Sequence, residues 1–280
     1  MELVRIRNLM YRYPDGSIVN LTGPDFTVHP AEKVVLLGAN GSGKTTLLSH
    51  IMGFLQPSAG EVKVFGLQPA KHFNQIRSKL GVVLQRVEEQ LLGPTVFDDV
   101  AFSLYNEGLS QEEIEVKVDK MLTGLRIKHL ADKVPHYLSG GEKKKVALAG
   151  AMILNPHLLL LDEPFDGLDP YSRVELLQLL ADLNREHGTA MVTATHDVEL
   201  AAKLADVVYV IGSQGILLAG KPQVVFTQPE VLKEAKLEPP LATELFLQLA
   251  LPGCPPLTLE EAVDKLKPLL IPLVDTVTTA

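Results

Sequence analysis

The chain has 280 residues, 46% of them hydrophobic, and a net charge of −8 because 34 Asp and Glu outnumber 26 Lys and Arg. This length and apolar content suit one large globular domain with a small appendage. The acidic balance excludes a global positive field that would draw the chain to nucleic acid or to anionic lipid.

A single cysteine, Cys254, excludes an intrachain disulfide, and the eight histidines show no spacing typical of metal ligands. The N-terminus lacks the apolar core of a signal peptide, and the sequence has no run of about 18 apolar residues that would cross a bilayer. We therefore expect a cytosolic protein with no metal-ligand cluster and no membrane span.

Two kinds of sheet are predicted along the chain. Strand-like segments at Glu2–Leu9, Ile18–Val28 and Glu61–Phe65, separated by turn signals, predict a mostly antiparallel sheet. Short, continuous apolar runs separated by helical stretches predict a second, parallel sheet that is buried on both faces. These runs are Lys33–Leu37, Gly81–Leu84, Leu158–Leu161, Ala190–Thr195 and Val207–Ile211.

A helical subdomain is predicted at about residues 95–150, because strand signals vanish between Thr95 and His136. Ser110 and Glu113 have the spacing of a capping box at the start of a helix. The apolar residues that follow fall on one helical stripe: Ile114, Val118, Met121, Leu122 and Leu125.

The composition changes again after about Pro222, where prolines punctuate short amphipathic stretches. Thr258 and Glu261 have the spacing of another capping box. We predict a main domain at residues 1–222 and a small C-terminal helical module at residues 223–280.

A phosphate-binding loop is the strongest motif. The segment from Gly38 to Thr45, GANGSGKT, satisfies GxxxxGK[ST] between the apolar run KVVLL and a helical stretch. Backbone N–H groups of such a loop point at phosphate oxygens, Lys44 reaches the β- and γ-phosphates of ATP, and Thr45 ligates Mg²⁺. The alternative is a glycine-rich turn with an exposed lysine. The predicted nucleotide contacts here are Gly38, Asn40, Gly41, Ser42, Gly43, Lys44, Thr45 and Thr46.

Polar residues also end two later apolar runs. Asp162 and Glu163 follow LLLLL, and if their strand neighbours that of the phosphate loop, Asp162 holds Mg²⁺ and Glu163 polarises the attacking water. His196 follows AMVTAT at the same sheet edge and is predicted to contact the γ-phosphate. The alternatives are a solvated strand end for the two acids and a structural histidine.

The segment LSGGE, at residues 138–142, predicts a further anion-binding helix start. Ser139 and Glu142 also match a capping box, but two glycines in a first helical turn are costly and expose N–H groups. Because the chain's own phosphate loop already surrounds one ATP, this second segment is expected to serve a nucleotide held by another copy of the same fold.

In order along residues 2–222, GANGSGKTT, Gln85, LSGGE, LLLLLDEP, the DGLD of residues 166–169 and His196 resemble the ATP-binding cassette (ABC) ATPases. The resemblance implies an α/β P-loop NTPase cassette with a mainly parallel core sheet, an antiparallel β subdomain and a helical subdomain. It also implies a head-to-tail dimer in which the phosphate loop of one cassette and the LSGGE of the other enclose each ATP.

The resemblance implies further site residues. Gln85 senses Mg²⁺ and the lytic water and couples to a membrane partner, and Asp169 lies in the loop that joins the two sites. Ser139 with Gly141 faces the γ-phosphate in trans, and Gly140 and Glu142 are further nucleotide-binding residues of the same segment. Tyr13 stacks on adenine, with Tyr11 as the alternative, since side chains at i and i+2 of a strand share a face.

Two longer segments, one around Gln85 and one in the tail, resemble the ATPase subunits of energy-coupling factor (ECF) importers, particularly the cobalt/nickel branch. This implies a transmembrane coupling protein that contacts Pro94–Leu109, a substrate-binding membrane subunit, and a location at the cytoplasmic face of the membrane. The chain departs from relatives at Arg86-Val87-Glu88, where many have Asp-Pro-Asp, and at Lys145, where many have arginine.

Several alternatives remain at this point. The dimer is a homodimer or a pair of paralogues, and the apolar faces of the C-terminal module pack across the dimer or on their own cassette. A soluble ABC ATPase acting on the ribosome or nucleic acid is the alternative function; the negative charge and the absence of a second cassette argue against it. The intact set of motifs argues against a regulator that lacks turnover.

Overall fold

The computed structural model describes residues 2–277, with side chains up to residue 268. The strands are β1 Val4–Arg12, β2 Ile18–Leu21, β3 Phe26–Val28, β4 Lys33–Leu37, β5 Ala59–Val64, β6 Leu80–Val83, β7 Leu158–Asp162, β8 Ala190–Thr195, β9 Val207–Gly212 and β10 Gly215–Gly220. The helices are α1 Lys44–Ile51, α2 Pro69–Ile76, α3 Val96–Asn106, α4 Gln111–Gly124, α5 Gly140–Met152, α6 Pro170–His187, α7 Val198–Leu204, α8 Pro222–Phe226, α9 Pro229–Glu234, α10 Leu241–Gln248 and α11 Leu259–Val277.

The central sheet has the strand order β10-β9-β4-β8-β7-β6, and the pairs from β9 to β6 are parallel. Every residue of β7 and β8 is buried. Leu158 and Leu160 pack into one hydrophobic core, while Leu159 and Leu161 pack into the other, on the opposite face. Two covered faces explain why these strands are continuous apolar runs. The predicted parallel core sheet is confirmed, with β10 added as an antiparallel edge strand.

A second, antiparallel sheet forms around β1, which pairs with β2, β3 and β5. The predicted segment Ile18–Val28 is two strands rather than one, because residues 22–25 interrupt it and Gly23 has φ 116. A Cβ at Gly23 would lie 2.1 Å from the Ile216 carbonyl oxygen, so the bend brings the backbone directly against β10.

The helical subdomain consists of α3, α4 and the start of α5. The capping box at Ser110 is confirmed, since Ser110 N and Oγ both donate to Glu113 Oε2 at 2.9 Å. Four residues of the predicted stripe on α4 are buried, and Met121 is half-buried. This stripe packs in the main core beside α3 and α5, which fixes the subdomain on the sheet.

The segment after residue 221 packs in two different ways. Val225, Phe226 and Leu232 are fully buried in the main core. Further along, α10 and α11 form a separate small cluster of Ala242, Phe246 and Ala262, against which Leu251 and Leu266 pack. The predicted capping box at Thr258 is only half present: Glu261 N donates to Thr258 Oγ1 at 3.3 Å, but Glu261 Oε2 accepts from Leu257 N instead of Thr258 N.

The predicted boundary between residues 222 and 223 stays a prediction. The apolar stretch predicted at residues 237–251 presents exposed leucines on α10, at Leu241 and Leu245, and just after it, at Leu249. Side chains beyond residue 268 lie outside the described residues, so the end of the predicted apolar face at residues 259–270 is not described.

Candidate active site

Three strand ends form the floor of the site. Gly38 follows β4, Glu163 follows β7 and His196 follows β8, all at the carboxyl edge of the parallel sheet. Strand β8 lies between β4 and β7, so the phosphate-loop strand and the strand of the two acids are not neighbours. The backbone links all three ends, because Gly38 N donates to Thr195 O at 3.2 Å and Glu163 N donates to Ala194 O at 3.0 Å.

The phosphate loop enters α1 through glycines that no other residue replaces without strain. Gly43 is the N-terminal cap of α1 and has φ 104, and a Cβ on it would lie 2.9 Å from Val19 Cγ1. A Cβ on Gly38 would lie 2.6 Å from the Ile211 carbonyl oxygen. The backbone N–H groups at the start of α1 are therefore available to an anion.

Lys44 is buried and points back into the loop. Its Nζ donates to Gly38 O at 2.7 Å and to Ala39 O at 3.2 Å, and only 6% of the residue is exposed. These two carbonyl contacts hold the ammonium at the mouth of the loop. The alternative of a glycine-rich turn with an exposed lysine is therefore wrong.

Thr45 and Asp162 form a pair suited to a hard divalent cation. Thr45 Oγ1 donates to Asp162 Oδ2 at 2.9 Å. The other carboxylate oxygen, Asp162 Oδ1, is buried and has no hydrogen-bond partner among the described residues. Burial raises the pKa of Asp162, and the hydrogen bond from Thr45 opposes the rise. A hydroxyl beside an unsatisfied carboxylate oxygen fits Mg²⁺, which prefers such oxygen ligands.

Glu163 joins Lys44 to His196. Its Oε1 lies 3.3 Å from Lys44 Nζ and 3.2 Å from His196 Nδ1. Glu163 is 5% exposed and has φ 44, a left-handed conformation that is uncommon outside glycine. The His196 side chain is 45% exposed. The site thus presents a buried carboxylate between a buried ammonium and a solvent-accessible imidazole.

The expectation that no metal-ligand cluster exists is wrong at this position. Ligand atoms of Glu163, Asp166 and His196 all lie within 4.8 Å of one another. The three residues come from the ends of two strands, so no spacing pattern in the sequence reveals them. They belong to the site already outlined by Lys44 and Glu163.

Tyr13 lies beside the phosphate-loop helix, just after β1. Its hydroxyl is 2.9 Å from Thr46 Oγ1, and its ring contacts that of Tyr11 edge-on at 4.8 Å between centroids. Tyr11 instead contacts the buried His50, at 5.1 Å between ring centroids. Tyr13, unlike Tyr11, forms a side-chain hydrogen bond with Thr46, a residue predicted to contact the nucleotide.

The LSGGE segment starts α5 with a complete capping box. Ser139 N and Oγ donate to Glu142 Oε2 at 2.8 and 2.7 Å, and Glu142 N donates to Ser139 Oγ at 3.4 Å. The serine lowers the pKa of Glu142. Among the described residues, no hydrogen bond or ion pair joins Ser139–Glu142 to the phosphate loop. The structure therefore does not bring this half of the predicted site together with the other.

Gln85 and Asp169 lie in loops outside the central cluster. Gln85 is exposed after β6 and makes no hydrogen bond to the site in the part of the chain that the structure describes. Asp169 caps α6, since its Oδ1 accepts from Tyr171 N at 2.9 Å and from Ser172 N at 3.0 Å. This hydrogen bonding, chiefly from Ser172, lowers the pKa of Asp169.

Two residues with structural roles near the site were missed at the sequence level. Gln90 holds the loop that carries Gln85, because its Nε2 donates to Val82 O at 2.8 Å and its Oε1 accepts from Leu84 N at 3.1 Å. Lys144 is buried against the loop that follows Glu163. Nothing in the sequence distinguishes Lys144 from Lys143 and Lys145, so its burial follows from tertiary packing alone.

Comparison with known proteins agrees with this geometry. A model of the ABC transporter family matches residues 21–166. The chain is 41% identical over 249 residues to the energy-coupling factor transporter ATP-binding protein EcfA of Methanocaldococcus jannaschii, covering 88% of each chain. It is 38% identical over 274 residues to EcfA of Methanothermobacter thermautotrophicus, covering 96% of this chain and 88% of that one.

A solved structure shares the architecture. That structure is cbiO1 from Clostridium perfringens, described as part of the ABC transporter complex cbiONQ; it matches with a TM-score of 0.75 at 34% identity and covers 89% of this chain and 96% of that one. The described residues contain no helix with the length and apolarity needed to cross a membrane. The chain therefore belongs to the ATP-binding proteins of ABC transporters, within them to the energy-coupling factor transporter ATP-binding proteins, and it is an ATPase.

Proposed function

We propose that this ATPase is the motor subunit of an ECF-type importer for cobalt or nickel ions or a vitamin, working as a head-to-tail dimer around two ATP. One observation carries the dimer: the chain has two glycine-rich helix starts, at Gly43 and Ser139, and among the described residues the first alone is joined to Asp162, through Thr45. The second helix start lacks a phosphate site of its own, and a second copy or a paralogue supplies one.

Within one copy, the residues divide the work on ATP. The loop N–H groups and Lys44 bind the β- and γ-phosphates, and Tyr13 stacks on adenine. Thr45 and Asp162 hold Mg²⁺, with Gln85 completing the site on closure; bound Mg²⁺ neutralises phosphate charge. Thr46 joins the adenine-stacking tyrosine to the helix that follows the phosphate loop, through the contact of its Oγ1 with the Tyr13 hydroxyl.

Glu163 positions and polarises the attacking water. The carboxylate accepts from Lys44 and from His196, so arrival of the γ-phosphate draws the ammonium and the imidazole toward the new negative charge. Glu163 then has an oxygen available to accept a hydrogen bond from water. His196 contacts the γ-phosphate, and Ser139, Gly140, Gly141 and Glu142 of the partner copy approach it from the other side.

The partner proteins are proposed to be a transmembrane coupling protein and a substrate-binding membrane subunit, which keep this chain at the cytoplasmic face of the membrane. Support comes from the exposed apolar side chains near the Gln85 loop, where Leu92 is 83% exposed and Phe102 on α3 is 66% exposed. Exposed apolar side chains of this size suit contact with a protein partner. The relatives are transporter subunits, which disfavours the ribosome or nucleic acid as the target.

The change Ser139→Arg tests the dimer, with Ser110→Arg as its matched control. Both serines cap a helix with the same pair of hydrogen bonds to a glutamate, so both substitutions remove a cap at a cost of about 1 kcal/mol. We expect Ser139→Arg to keep nucleotide binding by the monomer and to lower hydrolysis at least about 100-fold. Ser110→Arg should hydrolyse ATP normally.

Equal rates for the two variants would contradict the trans role of Ser139.

The transporter assignment is tested separately, by fractionating a lysate and following the untagged chain. We expect it to sediment with membranes and to be released by detergent together with an integral membrane protein; recovery with ribosomes would overturn the assignment.

A further inference from the structure

Three successive lysines near the start of α5 have different partners. Lys143 lies 3.7 Å from Glu88 and Lys145 lies 2.7 Å from Glu175, as ion pairs. Lys144, between them, is 7% exposed and has no carboxylate within 4.0 Å in the part of the chain that the structure describes. A buried ammonium without a counter-ion is costly, so what compensates it matters.

Backbone carbonyls compensate Lys144. Its Nζ donates to Asp166 O at 2.6 Å and to Pro164 O at 2.7 Å, and Glu163 O lies at 3.5 Å. An ammonium has three donors, and these three oxygens all belong to the turn that follows β7. Burial lowers the pKa of Lys144, and the charge of Asp166 opposes the fall. The side chain therefore ties α5 to the turn that carries Glu163.

That turn holds Glu163 in an unfavourable conformation. A left-handed φ of 44 on a glutamate is strained and persists only where the surroundings enforce it. Glu163 N donates to Ala194 O at 3.0 Å, and Asp166 N donates to Glu163 O at 3.2 Å. Lys144 Nζ contacts the carbonyl oxygens at both ends of this turn, those of Glu163 and Asp166. The conformation matters because it directs Glu163 Oε1 to Lys44 and His196.

We propose that Lys144 is a positioning residue for Glu163: through the carbonyls of residues 163–166 it fixes the glutamate backbone and couples the placement of the carboxylate to the helix that begins at Ser139. The proposal rests on the role of Glu163 proposed above. Because one rigid helix carries both Ser139 and Lys144, displacement of the helix start by a partner's nucleotide moves the turn behind the catalytic carboxylate.

The test compares Lys144→Met with Lys145→Met, a neighbour of the same type whose partner, Glu175, lies on α6. Phosphate release by the full-length protein gives kcat and KM for MgATP. We expect Lys144→Met to lower kcat at least about tenfold with KM within about threefold, while Lys145→Met keeps both within about twofold. Lys144→Arg, which keeps charged N–H donors, should restore part of kcat.

A double-mutant cycle separates positioning from general destabilisation. In a Glu163→Gln background the residual single-turnover rate should change less than about twofold on adding Lys144→Met, since a residue acting through Glu163 has nothing left to position. An equal fold-loss in both backgrounds, or an unchanged kcat in Lys144→Met alone, would overturn the proposal.

Two further outcomes are assigned in advance. If Lys144→Met does not fold, Lys144→Gln, which keeps an amide donor, replaces it in the same cycle with the same criteria. If Glu163→Gln alone hydrolyses ATP at the original rate, the assignment of Glu163 fails, and this result is distinct from a failure of Lys144.

Discussion

Lys44 Nζ and Glu163 Oε1 lie 3.3 Å apart, and each side chain is only 6% exposed. Two buried opposite charges at this distance compensate the loss of hydration that each would suffer alone. The pair also places the residue proposed to bind phosphate next to the residue proposed to act on water, so that phosphate binding by Lys44 would free Glu163 Oε1 for the water.

Replacing Glu163 with glutamine should separate ATP binding from hydrolysis. The amide keeps the shape and the contacts of the side chain but cannot polarise the attacking water as a carboxylate does. We expect kcat to fall at least about 100-fold while an ATP-bound dimer accumulates. Phosphate release and size-exclusion chromatography with MgATP measure the two effects. Glu186→Gln, an exposed site near the end of α6, is the control and should behave as the unmodified protein.

Replacing Asp162 with asparagine should stabilise the fold at neutral pH while abolishing Mg²⁺-dependent hydrolysis. Burial raises the pKa of Asp162 above the ordinary value of 3.8, so between the two values the folded state binds more protons than the unfolded state. Stability therefore falls as pH rises through that window. The gain from Asp162→Asn, measured by denaturant unfolding across a pH series, should be present at pH 7 and shrink as pH falls toward 3.8.

Asp169→Asn should change folding stability in the opposite direction when unfolding is measured in the same way. Hydrogen bonding from Ser172 lowers the pKa of Asp169, so its carboxylate stabilises the fold above the unfolded pKa, and this contribution is lost as pH falls through the folded pKa. The substitution should lower stability at neutral pH. Parallel pH dependences for the two variants would contradict this account.

Replacing Tyr13 with alanine should weaken nucleotide binding more than turnover. We expect the Kd for ATP to rise about tenfold, with kcat at saturation within about threefold, because stacking on adenine is a binding interaction remote from the reacting phosphate. Tyr13→Phe keeps the ring and should change Kd by less than about threefold. Tyr11→Ala tests the alternative; a larger effect there than at Tyr13 would reassign the stacking residue.

Truncation should distinguish the two parts of the C-terminal segment. Ending the chain after Lys221 removes Val225, Phe226 and Leu232 from the main core and should lower the free energy of unfolding by more than about 5 kcal/mol. Ending it after Pro240 removes the separate cluster around Phe246 and a single buried residue of the main core, Leu257, and should leave a folded ATPase. Thermal unfolding measures both. Sizing of the shorter but folded chain with MgATP then reports whether α10 and α11 contribute to the dimer.

Features that depend on residues close together in the sequence were predicted correctly more often than features that depend on distant segments. The strands of the parallel sheet and the capping box at Ser110 depend on neighbours within a few residues and on continuous apolar runs, and the structure confirms them. The capping box at Ser139, which was the alternative to an anion-binding helix start, is present as well. The box at Thr258 fails in part because Leu257 N competes for the same carboxylate. The break in residues 18–28 was missed although Gly23-Pro24 is a local turn signal. What needed the tertiary structure is the close approach of Gly23 to Ile216.

By itself the sequence determined the family of the protein and the identity of its phosphate loop, because backbone N–H groups and a lysine at fixed spacing recognise phosphate whatever surrounds them. Only the tertiary structure decided that Asp162 reaches Thr45 across an intervening strand, and that Glu163, Asp166 and His196 meet. It also decided that Lys144, an ordinary residue in the sequence, is buried against the catalytic turn. Contacts between distant segments depend on strand order and on which helix face is covered, and neither is encoded in local spacing.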